Sequence, residues 1–316
     1  MKIMSVGSAL PKRVVTNDEL AAFLDTNDEW ISTRTGIKER RVLTDETLLS
    51  LGTDAAKLAM QRANLEPSDI DFLICTTLMG DLVSPGLGCQ LVGTLGLSCA
   101  AIDLNGACAG FVYGLDMADA YIATGRAKRI LLVSAEANTR ICDWADRSTA
   151  VLFGDGAGAL VLGEGDGYMG SILTVQSNTQ ALNYWPMAGN SPYAKDFQHD
   201  YQPLYMAGQD VYKFAVSAVS HDLKAICEKT GTSIDQIDKF LLHQANLRII
   251  EAARHRVKQP PEKFPHNIER MGNTSSASVP ILMDELYTAG ELKEGMLLFI
   301  SAFGAGLTTG SCLIRW

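Results

Sequence analysis

The chain has 316 residues, of which 47% are hydrophobic and 20% are charged, and its formal net charge is -9. This length allows one large domain or two of ordinary size, and the hydrophobic content is sufficient for a core. The acidic balance argues against general nucleic-acid binding, which requires a dominant basic surface, although it leaves room for a local basic patch.

The cysteines and the N-terminal residues indicate the cellular compartment in which the protein is expected. The chain has 7 cysteines, an odd number, and none of them form a Cys-x-x-Cys pair. Neither a disulfide framework nor a zinc site is indicated, so the pattern favours a reducing cytoplasm. The first seven residues lack the long apolar core of a signal peptide, and no apolar run is long enough to span a bilayer. We therefore expect a cytoplasmic protein with no membrane partner.

The first half of the chain alternates helical and strand-like patterns. Residues 51–63 have apolar side chains at helical spacing, and a strand is predicted at 70–77 after a turn. Ala100–Leu104 is short and apolar enough to be a buried strand, and a further buried strand is predicted at 130–135. This alternation predicts a mainly parallel sheet covered by helices.

A turn of small residues separates the last two of these strands. It has the sequence Asn-Gly-Ala-Cys-Ala-Gly-Phe at 105–111, and apolar residues at helical spacing follow it as far as Gly125, a plausible C-cap. Cys108 therefore lies where a strand leads into a helix, and the positive end of the helix dipole should lower the pKa of its thiol. We interpret Cys108 as a nucleophile, with an inert buried thiol as the alternative.

The same order of elements recurs in the second half. The predicted elements are a helix at 211–229, a strand at 237–242, a turn at 272–274, a helix at 275–289 and a strand at 296–302. Identical residues stand 167 positions apart in the pairs 70/237, 71/238, 115/282, 131/298, 134/301 and 135/302. The matching order and register predict two copies of one α/β unit.

The repeat also predicts where reactive side chains meet. With an offset of 167, Ser275 is the counterpart of Cys108, and His243 is the counterpart of Thr76 at a strand end. Two units packed about a pseudo-dyad would bring both turns and both strand ends to one central site. His243 follows an apolar strand, where α/β folds place their sites, and Asn273 precedes a run of small polar residues. A core histidine and a helix N-cap are the alternatives for these two residues.

Two glycine-rich segments, at 153–158 and 303–306, adjoin predicted buried strands. Neither has a Walker lysine or opens a helix with Gly-x-Gly-x-x-Gly, so a phosphate cradle is not indicated. Tight backbone packing or an N–H group that binds an oxyanion fits both segments better.

Several motifs together resemble β-ketoacyl-acyl carrier protein synthase III. They are the 105–111 turn, His-Gln-Ala-Asn-Leu-Arg at 243–248 and Gly-Asn-Thr-Ser-Ser-Ala-Ser-Val at 272–279, supported by Asp-Glu-Trp-Ile-Ser-Thr-Arg-Thr-Gly-Ile at 28–37 and Phe-Gly-Asp-Gly-Ala-Gly at 153–158. The resemblance runs along essentially the whole chain. It implies a duplicated thiolase-like α/β fold with five layers, α-β-α-β-α, in two pseudo-symmetric halves. It also implies a homodimer that starts fatty-acid synthesis.

We place the two halves at 1–170 and 171–316. By resemblance, the N-terminal half holds the nucleophilic cysteine and the contacts to the adenine of CoA. The C-terminal half holds the histidine, the asparagine and the face for carrier protein.

The implied reaction is a decarboxylating Claisen condensation. By resemblance, Cys108 takes an acyl group from an acyl-CoA, with acetyl-CoA as the first choice. Malonyl-acyl carrier protein then loses carbon dioxide, and its carbanion attacks the bound acyl group. N–H groups of His243 and Asn273 would bind the enolate, and the backbone N–H groups of Cys108 and Ala305 would bind the tetrahedral oxyanion. Acyl-CoA is a substrate in this scheme, and neither a cofactor nor a metal is implied.

The resemblance assigns further residues by their place in the motifs. Trp30 and Arg147 match a pair that sandwiches the adenine of CoA, and Arg34 matches a CoA phosphate contact. The residues that match the lining of the pantetheine tunnel are Met206, Gly208, Ala245 and Asn246. Because carrier protein is strongly acidic, the enzyme needs a local positive surface. The candidates for that surface are Lys213, Arg248, Arg254 and Arg256, with His255 and Lys258.

The chain departs from the family pattern at the last glycine-rich motif. Ala305 stands between two glycines where three glycines are common, and Leu307 and Thr309 replace bulkier aromatics. No aromatic residue occurs at 79–91. These changes predict a roomier acyl pocket, so longer or branched primers and a secondary-metabolite pathway remain alternatives. The other alternative functions are another thiolase-fold enzyme, a cysteine thioester hydrolase and a non-catalytic acyl-binding protein.

Overall fold

The computed structural model describes residues 1–184 and 203–316. Its strands are β1 (Lys2–Ala9), β2 (Arg13–Thr16), β3 (Glu39–Val42), β4 (Phe72–Thr76), β5 (Ala100–Leu104), β6 (Arg129–Ala137), β7 (Asp155–Gly163), β8 (Tyr168–Val175), β9 (Leu182–Asn183), β10 (Tyr205–Met206), β11 (Lys239–Leu242), β12 (Leu297–Gly304) and β13 (Thr308–Arg315). Its α-helices are α1 (Asn17–Ala21), α2 (Asp28–Thr35), α3 (Leu48–Arg62), α4 (Leu87–Leu95), α5 (Gly110–Ala123), α6 (Arg147–Ala150), α7 (Gly208–Thr230), α8 (Leu247–Val257), α9 (Ile268–Met271) and α10 (Ser278–Thr288). None of these helices is long and apolar enough to cross a bilayer.

Two sheets form the core. One has the strand order β1-β7-β6-β4-β5 and the other the order β8-β13-β12-β11. In the first sheet β6 is parallel to β4 and antiparallel to β7. In the second sheet β12 is parallel to β11 and antiparallel to β13 in the same way. Four strands of the first sheet thus have counterparts in the second, in the same order, and β5 is the additional strand at one edge.

Helices cover both faces of both sheets. α3 and α4 pack on the outer face of the first sheet through residues such as Leu91. α5 and α10 lie between the sheets, where Phe111 and Leu282 belong to one shared core. α7 and α8 pack on the outer face of the second sheet through Leu223 and Ile250. The resulting α-β-α-β-α order confirms the predicted five-layer, duplicated fold.

The offset between equivalent residues of the two units changes along the chain, so the prediction of one constant offset is wrong. Phe72 of β4 pairs with Ile130 of β6, and Lys239 of β11 pairs with Leu298 of β12. The first strands are therefore 167 positions apart, but the second strands are 168 apart. The second unit has one extra residue between its first strand and its turn. The identical pairs predicted after that point, at 115/282, 131/298, 134/301 and 135/302, are therefore coincidences between positions that are not equivalent in the two units.

The turn follows the longer offset as well. Ala107 has a φ of 46° and Ser275 has a φ of 50°, each at the start of a 3-10 turn that leads into a helix. The structural counterpart of Cys108 is therefore Ser276, and the prediction of Ser275 is wrong by one residue. The one-residue shift does not separate the two turns, which both lie at the junction of the halves.

Strand β5 is an exposed edge, whereas the sequence predicted a buried strand. Ile102 is 41% exposed, and most residues of β5 are accessible in this chain. The strand has a partner on one side only, so its apolar content does not measure its burial. Asp103 on β5 accepts hydrogen bonds of 2.6 Å from the N–H groups of Leu87 and Gly88, which caps α4.

Candidate active site

A cavity of about 1280 Å³ lies where the turns of the two halves meet. Cys108 reaches it from the turn after β5, His243 from the end of β11, and Asn273 from the turn before α10. The structure thus brings three side chains that are far apart in sequence to one cavity. This arrangement follows from the strand order, because the carboxyl ends of parallel strands lie at one edge of a sheet.

Cys108 lies in the 3-10 turn Ala107–Ala109, directly before α5. The end of β12 approaches this turn so closely that a Cβ on Gly304 would lie 2.7 Å from the Cys108 nitrogen. Only glycine fits at that approach. Ala305, the next residue, also lines the cavity, so it and Cys108 sit on adjoining parts of the wall.

The pKa of Cys108 moves in the direction opposite to the prediction. Burial of the sulfur raises the pKa of its thiol to about 12; a hydrogen bond with Ser275 opposes the rise, and the negative charge of Glu136 adds to it. The net shift is therefore opposite in direction to the predicted lowering, because removal of the sulfur from water is the largest contribution to its pKa. Cys108 is a neutral thiol at neutral pH unless a neighbouring group takes its proton.

The hydrogen bonds of His243 fix its tautomer. Its Nδ1 lies 2.7 Å from the Ser278 hydroxyl oxygen, which also accepts a hydrogen bond of 3.3 Å from the N–H of Gln244. Among the described residues, Nδ1 is the one acceptor in reach of the Ser278 hydroxyl, so the hydroxyl donates to Nδ1 and the ring proton sits on Nε2. Burial lowers the pKa of His243 to about 3, so the ring is neutral. His243 therefore offers an Nε2–H donor.

Asn273 is held by its backbone and by its side-chain oxygen. Its N–H donates to the Leu152 carbonyl at 2.8 Å, and its own carbonyl accepts from Gly154 at 3.0 Å. Its Oδ1 accepts a 2.8 Å hydrogen bond from the N–H of Ser275, as Oδ1 of its counterpart Asn105 accepts from Ala107 at 3.1 Å. Because Oδ1 already accepts this hydrogen bond, the side chain of Asn273 can bind a ligand by donating hydrogen bonds from its amide N–H groups.

The predicted adenine site is closed by its own side chains. The guanidinium of Arg147 lies 4.8 Å from the centre of a Trp30 ring, and that of Arg34 lies 4.6 Å from it. A planar ring held between two others needs about 7 Å between them, since each contact takes ~3.5 Å. Arg147, which also bonds to Asp25, would have to move away from Trp30 before an adenine could enter.

Most of the other predicted residues also line the cavity. They are Met206, Gly208, Lys213, Ala245, Asn246, Arg248 and Ala305, together with Trp30, Arg34 and Arg147. Arg254 and Arg256 do not; Arg254 pairs with Glu251 at 2.6 Å, and Arg256 donates to the Val216 carbonyl. Their part in docking stays a prediction. Leu307 and Thr309 are buried away from the cavity, and Thr308 lines it instead.

The sequence did not single out Glu136, Ser278 or the contacts of Ser275. Glu136 lies near the end of β6 and is 1% exposed, and Ser275 and Ser278 are buried in the turn and first residue of α10. One signal could have found Glu136. An acidic residue at the carboxyl end of an apolar strand occupies the same kind of position as His243.

Comparison with known proteins identifies the family. The models of 3-oxoacyl-[acyl-carrier-protein (ACP)] synthase III and of its C-terminal part match residues 102–181 and 227–316. The chain is 42% identical to a β-ketoacyl-[acyl-carrier-protein] synthase III of Caldanaerobacter subterraneus subsp. tengcongensis, over 99% of this chain and 97% of the relative.

Solved structures agree along the whole chain. The synthase III of Thermus thermophilus superposes with a TM-score of 0.93 at 39% identity, covering 100% of this chain and 99% of that one. The priming β-ketosynthase of the R1128 polyketide biosynthetic pathway superposes with a TM-score of 0.92 at 33% identity, covering 99% and 95%. The chain therefore belongs to the 3-oxoacyl-[acyl-carrier-protein] synthase III family.

Proposed function

We propose that this chain condenses an acyl-CoA primer with malonyl-acyl carrier protein, with loss of carbon dioxide, and so initiates fatty-acid synthesis. The observation that carries the proposal is the meeting of Cys108, His243 and Asn273 on one cavity in a chain that belongs to this family. A thiol nucleophile and two neutral donors are the groups that this chemistry requires.

In the first half-reaction Cys108 attacks the acyl-CoA carbonyl. The tetrahedral intermediate carries its negative charge on the former carbonyl oxygen. The backbone N–H groups of Cys108 and Ala305 are the proposed donors to that oxygen, supported by their adjoining places on the cavity wall. Collapse of the intermediate breaks the carbon–sulfur bond to CoA and leaves a thioester on the enzyme.

In the second half-reaction decarboxylation moves charge onto the thioester oxygen of the malonyl group. The Nε2–H of His243 and the amide N–H of Asn273 are the proposed donors to that enolate. Both are neutral, so neither loses strength through protonation near neutral pH. The enolate carbon then attacks the acyl group on Cys108, and the new β-ketoacyl chain leaves on the carrier protein.

The substrates enter, in this proposal, along residues that line the same cavity. Trp30 and Arg147 would hold the adenine of CoA, and Arg34 a phosphate. The pantetheine arm would pass the four lining residues Met206, Gly208, Ala245 and Asn246. Asn246 also ties the two walls together, because its amide donates to the Arg34 carbonyl at 3.1 Å.

Carrier-protein docking is assigned chiefly to Arg248, which is exposed at the cavity and lies 5.9 Å from the ring centre of Tyr212. We expect Arg248→Glu to raise the KM for malonyl-acyl carrier protein at least about tenfold, because the charge now repels an acidic partner. Acylation by acyl-CoA should change much less. Steady-state kinetics with both substrates check this.

A charge reversal elsewhere supplies the control. Lys224 is exposed on α7 and pairs with Glu228 at 3.8 Å, outside the cavity lining. Lys224→Glu should leave the carrier-protein KM near that of the wild type. If Arg248→Glu slowed acylation as much as condensation, docking through Arg248 would be ruled out.

Acetyl-CoA is the proposed primer, and longer or branched primers are the alternative. The alternative is supported by the absence of an aromatic residue at 79–91 and by the likeness to a priming ketosynthase of a polyketide pathway. Intact-protein mass spectrometry after exposure to a panel of acyl-CoAs measures which chain is added to Cys108.

The same experiment tests the proposed function. An acyl adduct on Cys108 that persists until malonyl-acyl carrier protein is added, and then disappears with formation of a β-ketoacyl product, is the expected result. Loss of the adduct to water alone would indicate a thioester hydrolase. Condensation with malonyl-CoA but not with malonyl-acyl carrier protein would indicate another thiolase-fold enzyme.

We propose further that two copies associate through β5. Its free edge supports this, because such an edge is a template for pairing with another strand. Leu82 and Val83, two exposed apolar residues, lie in the loop before α4, the helix that Asp103 of β5 caps. Light scattering of the purified chain should give the mass of a dimer.

The remaining expectations are proposals of the same kind. We place the boundary of the halves at 170/171, although β8 lies across it and pairs in the second sheet. All seven cysteines are free thiols, which supports a cytoplasmic location. The chemistry above runs without a resident cofactor or metal, and that expectation stays a prediction.

A further inference from the structure

Glu136 is a buried carboxylate for which the mechanism above has no role. It accepts hydrogen bonds from the hydroxyl of Ser276 at 2.6 Å, from the hydroxyl of Ser275 at 3.1 Å and from the N–H of Leu78 at 2.9 Å. All of these partners are donors, as an ionised carboxylate requires. Among the described residues no cation forms an ion pair with it. The charge is therefore held by hydrogen bonds alone.

Ser275 joins this carboxylate to the proposed nucleophile. Its hydroxyl oxygen lies 3.3 Å from Sγ of Cys108 and 3.1 Å from Oε1 of Glu136. The hydroxyl has one proton, and the carboxylate is the stronger acceptor. When the Ser275 hydroxyl donates to the carboxylate, its oxygen is free to accept from the thiol of Cys108; when it donates to Sγ, it stabilises the thiolate. The order of the three groups is that of a proton relay.

His243 cannot take the thiol proton in this arrangement. Its Nδ1 accepts from Ser278, so its Nε2 already carries a proton and has no free lone pair. Yet burial holds the pKa of Cys108 near 12, so the thiol must lose its proton to some other group before it attacks. Ser275 is the polar side chain within hydrogen-bond reach of Sγ in the described part of the chain.

We propose that Glu136, acting through the hydroxyl of Ser275, takes the proton of the Cys108 thiol during acylation and holds it until the thiol is regenerated. The thiol proton moves to the Ser275 oxygen as the Ser275 proton moves to Oε1 of Glu136. The thiolate then attacks the acyl carbonyl, and CoA leaves as a thiolate that takes a proton from solvent. In the condensation the Cys108 sulfur leaves the acyl group, and the stored proton returns to it by the same path.

The surroundings of Glu136 suit a group that must change its protonation in each turnover. Burial raises the pKa of Glu136 to about 7, and the hydrogen bonds from Ser276, Leu78 and Ser275 limit the rise. In the part of the chain that the structure describes, the titratable groups that face Glu136 are the thiols of Cys108 and of Cys75 on the neighbouring strand β4. Burial also raises the pKa of Cys75. A carboxylate with a pKa near the working pH is well matched to accept and return a proton.

The test compares two serines that both donate to Glu136. Ser275→Ala removes a hydroxyl that touches both Glu136 and Cys108, whereas Ser276→Ala removes one that touches Glu136 and Thr76 but not Cys108. The backbone of Ser275, and not its side chain, holds Asn273, so that anchor survives. We expect Ser275→Ala to slow acylation of Cys108 on the order of 10²-fold, and Ser276→Ala to slow it less than about threefold at pH 8.5. Ser275→Thr, which keeps the hydroxyl, should recover most of the rate.

The pH profile separates a relay from a purely structural role. In the wild type the acylation rate should rise with pH through about 7 and then level, because Glu136 must be ionised to accept the proton. Ser276→Ala should move this rise to higher pH, since the carboxylate loses a donor. In Glu136→Gln the plateau should vanish, and the rate should increase about tenfold per pH unit as the thiol ionises directly.

Rapid quenching followed by intact-protein mass spectrometry measures the acylation rate in each variant. Equal losses in Ser275→Ala and Ser276→Ala, or an unchanged profile in Glu136→Gln, would overturn the relay. The relay rests on the proposed role of Cys108 in the condensation. The same mass spectra distinguish a failure of the relay from a failure of the proposed function. No adduct on Cys108 in the wild type would defeat the proposed function itself.

Discussion

Replacement of Cys108 with alanine is expected to lower the rate of condensation on the order of 10⁴-fold or more, because the covalent route depends on that sulfur. Decarboxylation of malonyl-acyl carrier protein should persist. The proposed enolate donors, His243 and Asn273, are held by Ser278 and by the 152–154 segment, and neither anchor includes Cys108. Release of carbon dioxide and formation of β-ketoacyl product, measured in parallel, separate the two effects.

A second cysteine provides the matched control. Cys89 is exposed on α4 and lies outside the cavity lining, and Cys89→Ala should leave both rates unchanged. Alkylation of the wild type by iodoacetamide should stop condensation once Cys108 is modified, and prior acylation should protect it. If Cys108→Ala still formed β-ketoacyl product at more than about a hundredth of the wild-type rate, a covalent intermediate on this residue would have to be abandoned.

The sequence placed Cys108 and His243 well because their positions follow from topology. Both come at the ends of apolar strands, and the ends of parallel strands meet at one edge of a sheet. The repeat predicted the second sheet, so the meeting of the two halves follows from the sequence alone. Its exact register could not, because one additional residue in a loop leaves the element order and the common apolar identities unchanged.

Properties that depend on depth and on long-range contacts were beyond the sequence. The turn at Cys108 correctly indicated a helix start, but the pKa of the thiol is governed by burial, which the turn does not report. Strand β5 looked buried by composition, although its place at the edge leaves Ile102 exposed. The bond from Ser275 to Glu136 joins residues 139 positions apart, and only the assembled halves bring them together.

The Nε2–H donor of His243 leads to a further prediction about the second half-reaction. His243→Ala should slow decarboxylation on the order of 10²- to 10³-fold, the usual effect of losing one donor to a developing oxyanion. Acylation of Cys108 by acyl-CoA should remain within about threefold of the wild type, because the imidazole already carries its proton on Nε2 and is not the base for the thiol. Burial holds the pKa of His243 at about 3, so the wild-type decarboxylation rate should show no imidazole titration between pH 5 and 8.

Two replacements of His243 distinguish a donor from a base. In His243→Gln the amide nitrogen of the glutamine side chain reaches about as far as Nε2 of the imidazole and can donate a hydrogen bond. This variant should therefore recover part of the decarboxylation rate that His243→Ala loses. His243→Phe fills a similar volume beside Phe303 but has no donor, and should behave as His243→Ala does. Carbon dioxide release from malonyl-acyl carrier protein and single-turnover acylation are the two measurements. The contrary result is that His243→Gln releases carbon dioxide no faster than His243→Phe, and that His243→Ala, His243→Gln and His243→Phe all lose acylation. In that case the imidazole acts as the base, and the tautomer assigned from Ser278 is wrong.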